Sequence, residues 1–349
     1  MRNSFNISGS SELVHEVLED PGEARFAYAA GARHAPGRGL RTWTGPALIG
    51  RVKSARRFTV EVDDDGTDAR LKDALGEPGS LALALTAVGS CPLYTTIAGG
   101  TARDISFDGV ELALSATVAT RAEGSLATGR VTGLTCEIAA TSASGPATLR
   151  EVVEQVGRHS PVHRTLTDAT EVRFFGQAGS GAAHAVAWQR REPDEEPISE
   201  HVLRRRVAWL SGTQFTSEAI GEVGAVLRVD QPKQLAGVDW GPNPQEYLLM
   251  ALAADIARLA GLNQERRTGR SGLWAVNCRA GLDIRGLMNI DPDVAVGLES
   301  VTCSVVLPQD GSLAGELGDV RAAAEESCLV DLIAFPHPAR IRFAQGTGA

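Results

Sequence analysis

The pattern of apolar and polar positions predicts four elements in the first half of the chain. Residues 110–120 and 129–141 alternate between apolar and polar side chains, which is typical of strands with one buried face. Residues 81–98 are almost wholly apolar or small and predict a buried helix, and residues 149–158 have the apolar spacing of an amphipathic helix. Strands in runs, separated by one or two helices, predict an α+β fold.

A further helix is predicted near the amino terminus. Ser10 is its expected N-cap, because a serine hydroxyl accepts a hydrogen bond from the first turn. The apolar residues that follow are spaced as one helical face, and they are Leu13, Val14, Val17 and Leu18. This segment precedes the elements described above, so it predicts an extension at residues 1–38.

The second half of the chain resembles the first half. A tryptophan in a strand-like segment recurs after 166 residues and a cysteine in another recurs after 167 residues, with an apolar helical run between them in each half. The three matches are Trp43 with Trp209, Cys136 with Cys303, and residues 81–98 with residues 247–260. Two matches at nearly the same offset predict a tandem duplication.

The composition between the two copies is typical of a linker. Small residues at 176–186 pass into a charged, proline-containing run at 187–199. We therefore expect an extension at residues 1–38, a first domain at 39–176, a linker at 177–197 and a second domain at 198–345.

Composition and charge exclude several classes of protein. The 349 residues include 34 Lys and Arg against 43 Asp and Glu, for a net charge of -9, so the basic surplus of a nucleic-acid-binding protein is missing. No uninterrupted apolar run has the length of a membrane span, and acidic residues occupy the positions where a signal peptide has its apolar core. We expect a cytoplasmic protein with neither nucleic acid nor a membrane as partner.

The five cysteines contain no C-x-x-C pair, and this pattern predicts reduced thiols. Cys136, Cys278 and Cys303 lie in strand-like segments, so core positions are expected for them. The histidines are dispersed and no glycine-rich phosphate loop follows a strand. The sequence therefore predicts neither a metal site nor a cofactor.

Cys91 has two interpretations. Pro92 follows it within the apolar run, and a proline inside a helix breaks or kinks it, so Cys91 is expected near the start of a new helical segment. A thiol at a helix N-terminus has a lowered pKa and is reactive. The alternative is a buried core cysteine, because free cysteine is among the most buried residue types.

Three motifs resemble the OsmC/Ohr superfamily, the osmotically inducible and organic hydroperoxide resistance proteins. They are Gly89-Ser90-Cys91 in the apolar helix, the string HSPVHRTL at 159–166, and the string GPNPQEYLL at 241–249. The resemblance implies two α+β domains packed as an intramolecular pseudo-dimer, with central helices between antiparallel sheets. It also implies a thiolate that attacks a hydroperoxide, a second cysteine that resolves the resulting sulfenic acid, and an Arg and a Glu beside the thiolate.

Neither half retains the cysteine pair that the resemblance implies. In the first half Cys91 takes the attacking position and Ser160 the resolving one. In the second half Asp255 takes the attacking position and Cys328 the resolving one. Peroxidase chemistry with two cysteines inside one domain is therefore not expected.

The two incomplete halves suggest one composite site around Cys91. Glu246 or Arg228 of the second half is expected to approach Cys91, together with Arg51 of the first half. His159 and His163 flank Ser160 and are expected to bind or tune a ligand.

Two functions from different classes remain open. One is a thiol-dependent, peroxidase-like enzyme in which Cys91 acts on an organic hydroperoxide or another small organic substrate, with an external thiol as reductant. The other is a catalytically degenerate module that binds a small molecule, and a specialised biosynthetic enzyme is a third possibility. We expect a monomer that forms its own pseudo-dimer or a higher homo-oligomer.

Overall fold

The computed structural model describes residues 2–62, 79–120, 129–190, 199–221, 225–308 and 311–345. We call the described residues up to 190 the first half and those from 199 the second half. The elements of the first half are α1 (Ile7–Glu19), β1 (Arg25–Ala35), β2 (Gly39–Thr44), β3 (Ala47–Ile49), β4 (Val52–Ser54), β5 (Thr59–Val62), α2 (Ser80–Ala102), β6 (Gly109–Thr120), β7 (Arg130–Thr141), α3 (Gly145–His159), α4 (Pro161–Asp168), β8 (Val172–Ala178) and β9 (Ala183–Val186).

The second half has a similar order of elements. They are β10 (Ser199–Ser211), β11 (Gln214–Ala219), β12 (Leu227–Val229), α5 (Pro244–Thr268), β13 (Trp274–Asp283), α6 (Ile284–Leu287), β14 (Glu299–Leu307), α7 (Leu313–Glu326), α8 (Cys328–Ala334) and β15 (Ala339–Gln345). The fold is mixed α and β, as the sequence predicts.

The strands form two sheets, and each sheet contains strands of both halves. The larger sheet has the order β4-β3-β1-β13-β14-β8-β9, with β2 paired to β1 and β5 paired to β2. The smaller sheet has the order β12-β11-β10-β6-β7-β15. In the larger sheet β1 pairs with β13 of the second half, and in the smaller sheet β10 pairs with β6 of the first half. The two halves therefore exchange strands, and the sheets hold them together.

The two long helices lie between the sheets. Helix α2 contacts α5, and it also packs on β6 and β10 of the smaller sheet, while α5 packs on β1 and β13 of the larger sheet. Helix α2 is long and apolar enough to cross a membrane by length and composition, but 94% of the relevant window is buried inside the protein. One such helix is weak evidence for a membrane span, because the central helix of a folded core has the same composition.

The polar side chains of α2 are compatible with burial because they bond to the backbone of their own helix. Hydroxyl groups donate to carbonyls four residues earlier, which satisfies donors that have no water nearby. The donors are Thr86, Ser90, Thr95, Thr96 and Thr101. The helix continues through Pro92, so the prediction that Cys91 lies near the start of a new helical segment is wrong.

The amino-terminal helix forms, but its start and its buried face differ from the prediction. Its N-cap is Asn6, whose side chain accepts a hydrogen bond from the Gly9 amide, and Ser10 lies inside the helix. Leu13 and Val17 are buried, whereas Leu18 is 64% exposed. The turn begins earlier than predicted because an asparagine four residues upstream caps it.

β-Strands are present in both segments predicted to lie outside the domains, the extension and the linker. Strand β1 lies within the expected extension of residues 1–38 and occupies a central place in the larger sheet. Strand β9 lies within the expected linker of residues 177–197 and pairs with β8. Both strands are held by hydrogen bonds to a neighbouring strand, which neither the position of the extension nor the composition of the linker revealed. The four domain boundaries stay a prediction.

One of the matches between the halves does not correspond to matching positions in the fold. Trp43 lies on β2, the second strand of its hairpin, whereas Trp209 lies on β10, the first strand of its hairpin. Cys136 and Cys303 lie in strands with matching neighbours, since β7 pairs with β6 and β15, and β14 pairs with β13 and β8. Together with Cys278, both of these cysteines are buried, which confirms their predicted core positions.

Candidate functional site

Cys91 lies in the middle of α2, and its sulfur faces the first turn of α4. Its exposed fraction is 1%. The Ser160 hydroxyl donates to Sγ at 3.2 Å, and the Val162 backbone amide donates to the same sulfur at 3.4 Å. Ser160 thus lies beside Cys91, where the sequence places the resolving residue. The helix N-terminus at the thiol belongs to α4 and not to a new segment of α2.

Burial outweighs these donors in setting the acidity of the thiol. Burial raises the pKa of Cys91 to about 11, while hydrogen bonds from Ser160 and from the backbone amides of Val162 and His163 lower it. Among the described residues, no charged side chain contributes to this shift. With a pKa of about 11, Cys91 is a neutral thiol at neutral pH. A reactive thiolate needs a depressed pKa instead.

The two arginines predicted to assist Cys91 are engaged elsewhere. Arg51 is 68% exposed in its side chain and pairs with Asp20 and Glu23 on the surface. Arg228 is exposed and its guanidinium lies over the Trp240 ring, 5.1 Å from the centroid. The prediction for both is wrong. The resemblance implies an arginine beside the thiol, but it does not specify which arginine the tertiary contacts place there.

Glu246 is buried at the start of α5 and pairs with an arginine that the sequence reasoning missed. Its carboxylate accepts hydrogen bonds from the Arg56 guanidinium and from the Asn243 backbone amide, and the Asn243 side chain accepts from the Glu246 amide. This is a capping box, and it was readable in the sequence as Asn-x-x-Glu. The partner Arg56 was not readable, since it lies 190 residues away.

The Arg56–Glu246 pair is largely desolvated. The Arg56 side chain is 6% exposed, and Asp239 accepts a second hydrogen bond from it at 3.1 Å. Burial raises the pKa of Glu246, and the charge of Arg56 opposes that rise. Arg56 Nε, Glu246 Oε1 and Gln245 Oε1 are buried and have no hydrogen-bond partner among the described residues. Such unsatisfied atoms are costly, so this cluster has spare capacity for a polar ligand or for water.

The pKa values of two buried tyrosines are raised, one near the ion pair and one near the thiol. The pKa of Tyr28 is raised by burial and then by the charge of Glu246, and Arg56 and Tyr94 also act on it. Burial likewise raises the pKa of Tyr94, and the next largest contribution comes from Cys91. The ion pair thus acts on Tyr28 and the thiol acts on Tyr94, and the approach of Glu246 to Cys91 stays a prediction.

A matching buried cluster surrounds Asp255 on α5, with a carboxylate where the first half has the Cys91 thiol. Its carboxylate accepts hydrogen bonds from Ser327 at 2.6 Å, from Ser80 at 3.2 Å and from Arg258 at 3.3 Å. Burial raises the pKa of Asp255, and the Arg258 guanidinium opposes the shift.

The residue that corresponds to Ser160 is Ser327 and not Cys328. Ser160 and Ser327 are the N-cap residues of α4 and α8, and each donates from its hydroxyl to the central helix of its own half. Cys328 is the first residue of α8, and it is buried. Burial raises its pKa well above the ordinary value, and Asp255 raises it further. The resolving position predicted for Cys328 is wrong by one residue.

A cavity of about 530 Å³ lies one helical turn from Cys91, within the range of small-molecule sites. Thr95, which donates its hydroxyl to the Cys91 carbonyl, is one of its lining residues. Helices α1, α2 and α3 supply most of the wall. The lining residues are Phe5, Ile7, Ser10, Ser11, Leu13, Val14, Tyr94, Thr95, Ala98, Gly99, Thr101, Ala102, Arg103, Val152, Gln155, Val156, His159, Leu235, Leu287, Met288 and Asn289.

The two predicted histidines differ in their surroundings. His159 lines the cavity, and its Nδ1 lies 3.4 Å from the Gly286 carbonyl oxygen. Burial and then the neighbouring Arg164 lower the pKa of His163, so its ring is neutral at neutral pH. The backbone amide of His163 acts on Cys91, whereas its ring is not among the groups that shift the thiol.

The corresponding face of α5 carries larger side chains. If Cys91 and Asp255 correspond, Ala98, Gly99 and Ala102 of the cavity correspond to Leu262, Asn263 and Arg266. Asn263 and Arg266 both donate to Glu326, at 3.5 and 3.2 Å. Small residues on α2 therefore leave open a volume that a hydrogen-bonded network occupies on α5.

An open cleft lies on the surface next to Arg56. It is lined by Lys53, Arg57, Lys233 and Asp239 as well as by Arg56 itself. Within the described part of the chain, no group of three or more His, Cys, Asp or Glu residues could hold a metal ion.

The comparisons with known proteins concern the segment that carries Cys91. No curated protein matches the chain. A family model described as OsmC-like protein matches residues 72–174, which include both Cys91 and Ser160. This match supports the OsmC superfamily for that part of the chain, in agreement with the resemblance of the sequence motifs.

Proposed function

We propose that this chain is a cytoplasmic, tandem OsmC-like protein that binds a small organic molecule in the cavity beside Cys91. The exchange of strands between the halves and the matching Ser160 and Ser327 contacts support a fused pseudo-dimer. The observation that carries the binding function is the cavity of about 530 Å³ at the interface of α1, α2 and α3. Its wall exposes more apolar than polar surface, and its polar groups could orient a small organic ligand.

The environment of Cys91 favours binding over thiol catalysis. A peroxidase thiol requires access for the hydroperoxide and a nearby cation that favours the thiolate. Cys91 is 1% exposed, and burial raises its pKa to about 11. The Arg56 guanidinium is already bonded to Glu246 and Asp239. We therefore assign to Cys91 a structural role in the buried layer behind Thr95, which lines the cavity.

The test is a cavity-filling substitution with a matched control. Gly99 lines the cavity, and a Cβ added there meets nothing within 4 Å. We expect the neutral fluorescent probe N-phenyl-1-naphthylamine to bind the wild-type protein saturably with one site per chain, and Gly99→Leu to lose at least ten-fold in affinity. Gly318→Leu, at a helical glycine of α7 that is equally open but outside the cavity, is expected to bind as the wild type does. Unchanged binding by Gly99→Leu contradicts the proposal.

Thiol chemistry at Cys91 is the second candidate, and one observation favours it. The Ser160 hydroxyl and the first amides of α4 donate to the sulfur, and these same donors would stabilise a thiolate or a sulfenate. Intact-mass measurement after stoichiometric cumene hydroperoxide tests it in the wild type, Cys91→Ser and Cys328→Ser. One added oxygen in the wild type and in Cys328→Ser but not in Cys91→Ser supports the thiol enzyme. No added oxygen in any of them excludes it.

A further inference from the structure

A pair of buried cysteines outside the candidate site lies across two neighbouring strands. Cys278 on β13 and Cys303 on β14 are direct register partners in the larger sheet. Their sulfur atoms are 3.1 Å apart, and both side chains are 0% exposed. The separation exceeds the length of an S–S bond, which is about 2.05 Å, by only about 1 Å.

The strand geometry is compatible with a bond between these sulfurs. Directly opposite residues of antiparallel strands have Cα atoms about 4.5 to 5.5 Å apart, and disulfides span about 4.4 to 6.8 Å between Cα atoms. A bond between Cys278 and Cys303 therefore needs little movement of the backbone. The corresponding strand pair of the smaller sheet provides an internal control, because Cys136 faces Leu114 there.

We propose that Cys278 and Cys303 are a redox pair that forms a reversible disulfide with hydrogen peroxide or a small organic hydroperoxide as oxidant. One thiol is oxidised to a sulfenic acid, and the peroxide is reduced to water or to an alcohol. The second sulfur then attacks the sulfenic sulfur, the S–S bond forms, the S–O bond breaks, and the oxygen leaves as water with the second thiol's proton. In total, two thiols and one peroxide give one disulfide, and the two thiol hydrogens leave in the water or alcohol formed.

The bond would constrain one wall of the cavity. The chain between the two cysteines contains α6 and the residues Leu287, Met288 and Asn289, which line the cavity. A disulfide closes this stretch into a loop and lowers the entropy of the unfolded chain. The oxidised protein is therefore expected to melt at a higher temperature than the reduced one.

Burial limits the access of peroxide to this pair as it does at Cys91, so the proposed reaction is a slow oxidation and not a catalytic turnover. Burial and the neighbouring Cys303 sulfur raise the pKa of Cys278 well above the ordinary thiol value. The sulfenic acid forms slowly as a result, whereas the second step is fast because the other sulfur is in contact. We expect oxidation over hours, with little free sulfenic acid at either position.

Peptide mapping of the native protein tests the proposal. The wild type and Cys91→Ser are treated with hydrogen peroxide, unfolded, alkylated with iodoacetamide and digested without reductant. We expect a peptide that joins Cys278 to Cys303, lighter by two hydrogen atoms and lost on addition of dithiothreitol, with Cys136 and Cys328 alkylated. Alkylation of both Cys278 and Cys303, their conversion to sulfinic acids without a cross-link, or a cross-link to Cys136 overturns the proposal.

A second measurement uses the melting temperature. Treatment with peroxide is expected to raise it in Cys91→Ser, and dithiothreitol is expected to reverse the rise. The same treatment of Cys91→Ser combined with Cys303→Ser is expected to give no reversible rise. If this variant does not fold, the mapping of the wild type decides alone.

Discussion

The acidity of Cys91 gives the sharpest test of how this site works. Burial raises the thiol pKa from the ordinary value of 9.0 to about 11, a shift of about two units. At neutral pH the thiolate fraction is then about 100-fold lower than that of an unperturbed thiol. Limited access to a side chain that is 1% exposed slows its reaction further. We therefore expect the folded protein to be alkylated at Cys91 at least 100-fold more slowly than the unfolded chain.

The assay is the rate of iodoacetamide alkylation at Cys91, mapped by mass spectrometry between pH 7 and pH 12 with and without urea. In the native protein the rate is expected to rise through an apparent pKa of about 11. An apparent pKa at or below 9, or rapid alkylation of the folded protein at pH 7, refutes the reasoning and favours the thiol enzyme.

The same shift predicts how stability depends on pH. Because the folded protein holds the thiol proton more tightly than the unfolded chain does, the contribution is fully present below pH 9 and is lost as the pH rises through about 11. Two units correspond to about 3 kcal/mol. The free energy of unfolding of the wild type relative to Cys91→Ala is therefore expected to fall by about 2 kcal/mol between pH 8 and pH 11, because the folded thiol is only half titrated at pH 11. An unchanged difference would contradict the burial argument.

Three further substitutions test the buried polar groups. Glu246→Gln preserves the capping box but leaves the buried Arg56 with one carboxylate fewer. The free energy of unfolding, measured by urea denaturation, is expected to fall by about 3 kcal/mol. Adding Arg56→Met is expected to restore part of this loss, because it removes the unpaired charge. Asp255→Ala is expected to lose about 3 to 5 kcal/mol in the same assay because Arg258 is left buried and unpaired, whereas a loss below 1 kcal/mol would show that the pair is not desolvated. Ser160→Ala removes a hydrogen-bond donor to the Cys91 sulfur, so the alkylation midpoint of Cys91 is expected to move to higher pH. The melting temperature is expected to change little, because the Ser160 hydroxyl makes no capping bond to α4. A midpoint that stays in place contradicts the role given to Ser160.

The local patterns were the most readable part of this protein. Alternation predicted β6 and β7, apolar spacing predicted α2 and α3, and the strings around Cys91 and Ser160 predicted that these residues meet. Such features depend on residues close in sequence or on a short motif, so they can be predicted without knowledge of the fold. The capping box at Glu246 is another example.

The errors fall where distant contacts decide. Arg51 was chosen for the composite site, but Arg56, five residues further on, reaches Glu246. Cys328 was aligned with Ser160, but the cap of α8 is Ser327. The Trp43–Trp209 match equated residues on strands that do not correspond between the halves. A side chain's direction depends on strand register and on the start of a helix, and an error of one residue turns it to a different face.

The sequence by itself determined the α+β class, the buried central helices and the place of Ser160 beside the thiol. Only the tertiary structure decided that the halves exchange strands, that Arg56 pairs with Glu246, and that small residues on α2 leave a cavity where α5 has larger ones. It also decided the character of Cys91. The acidity of a thiol depends on how much water and which charges surround it, and burial by residues from several elements sets both.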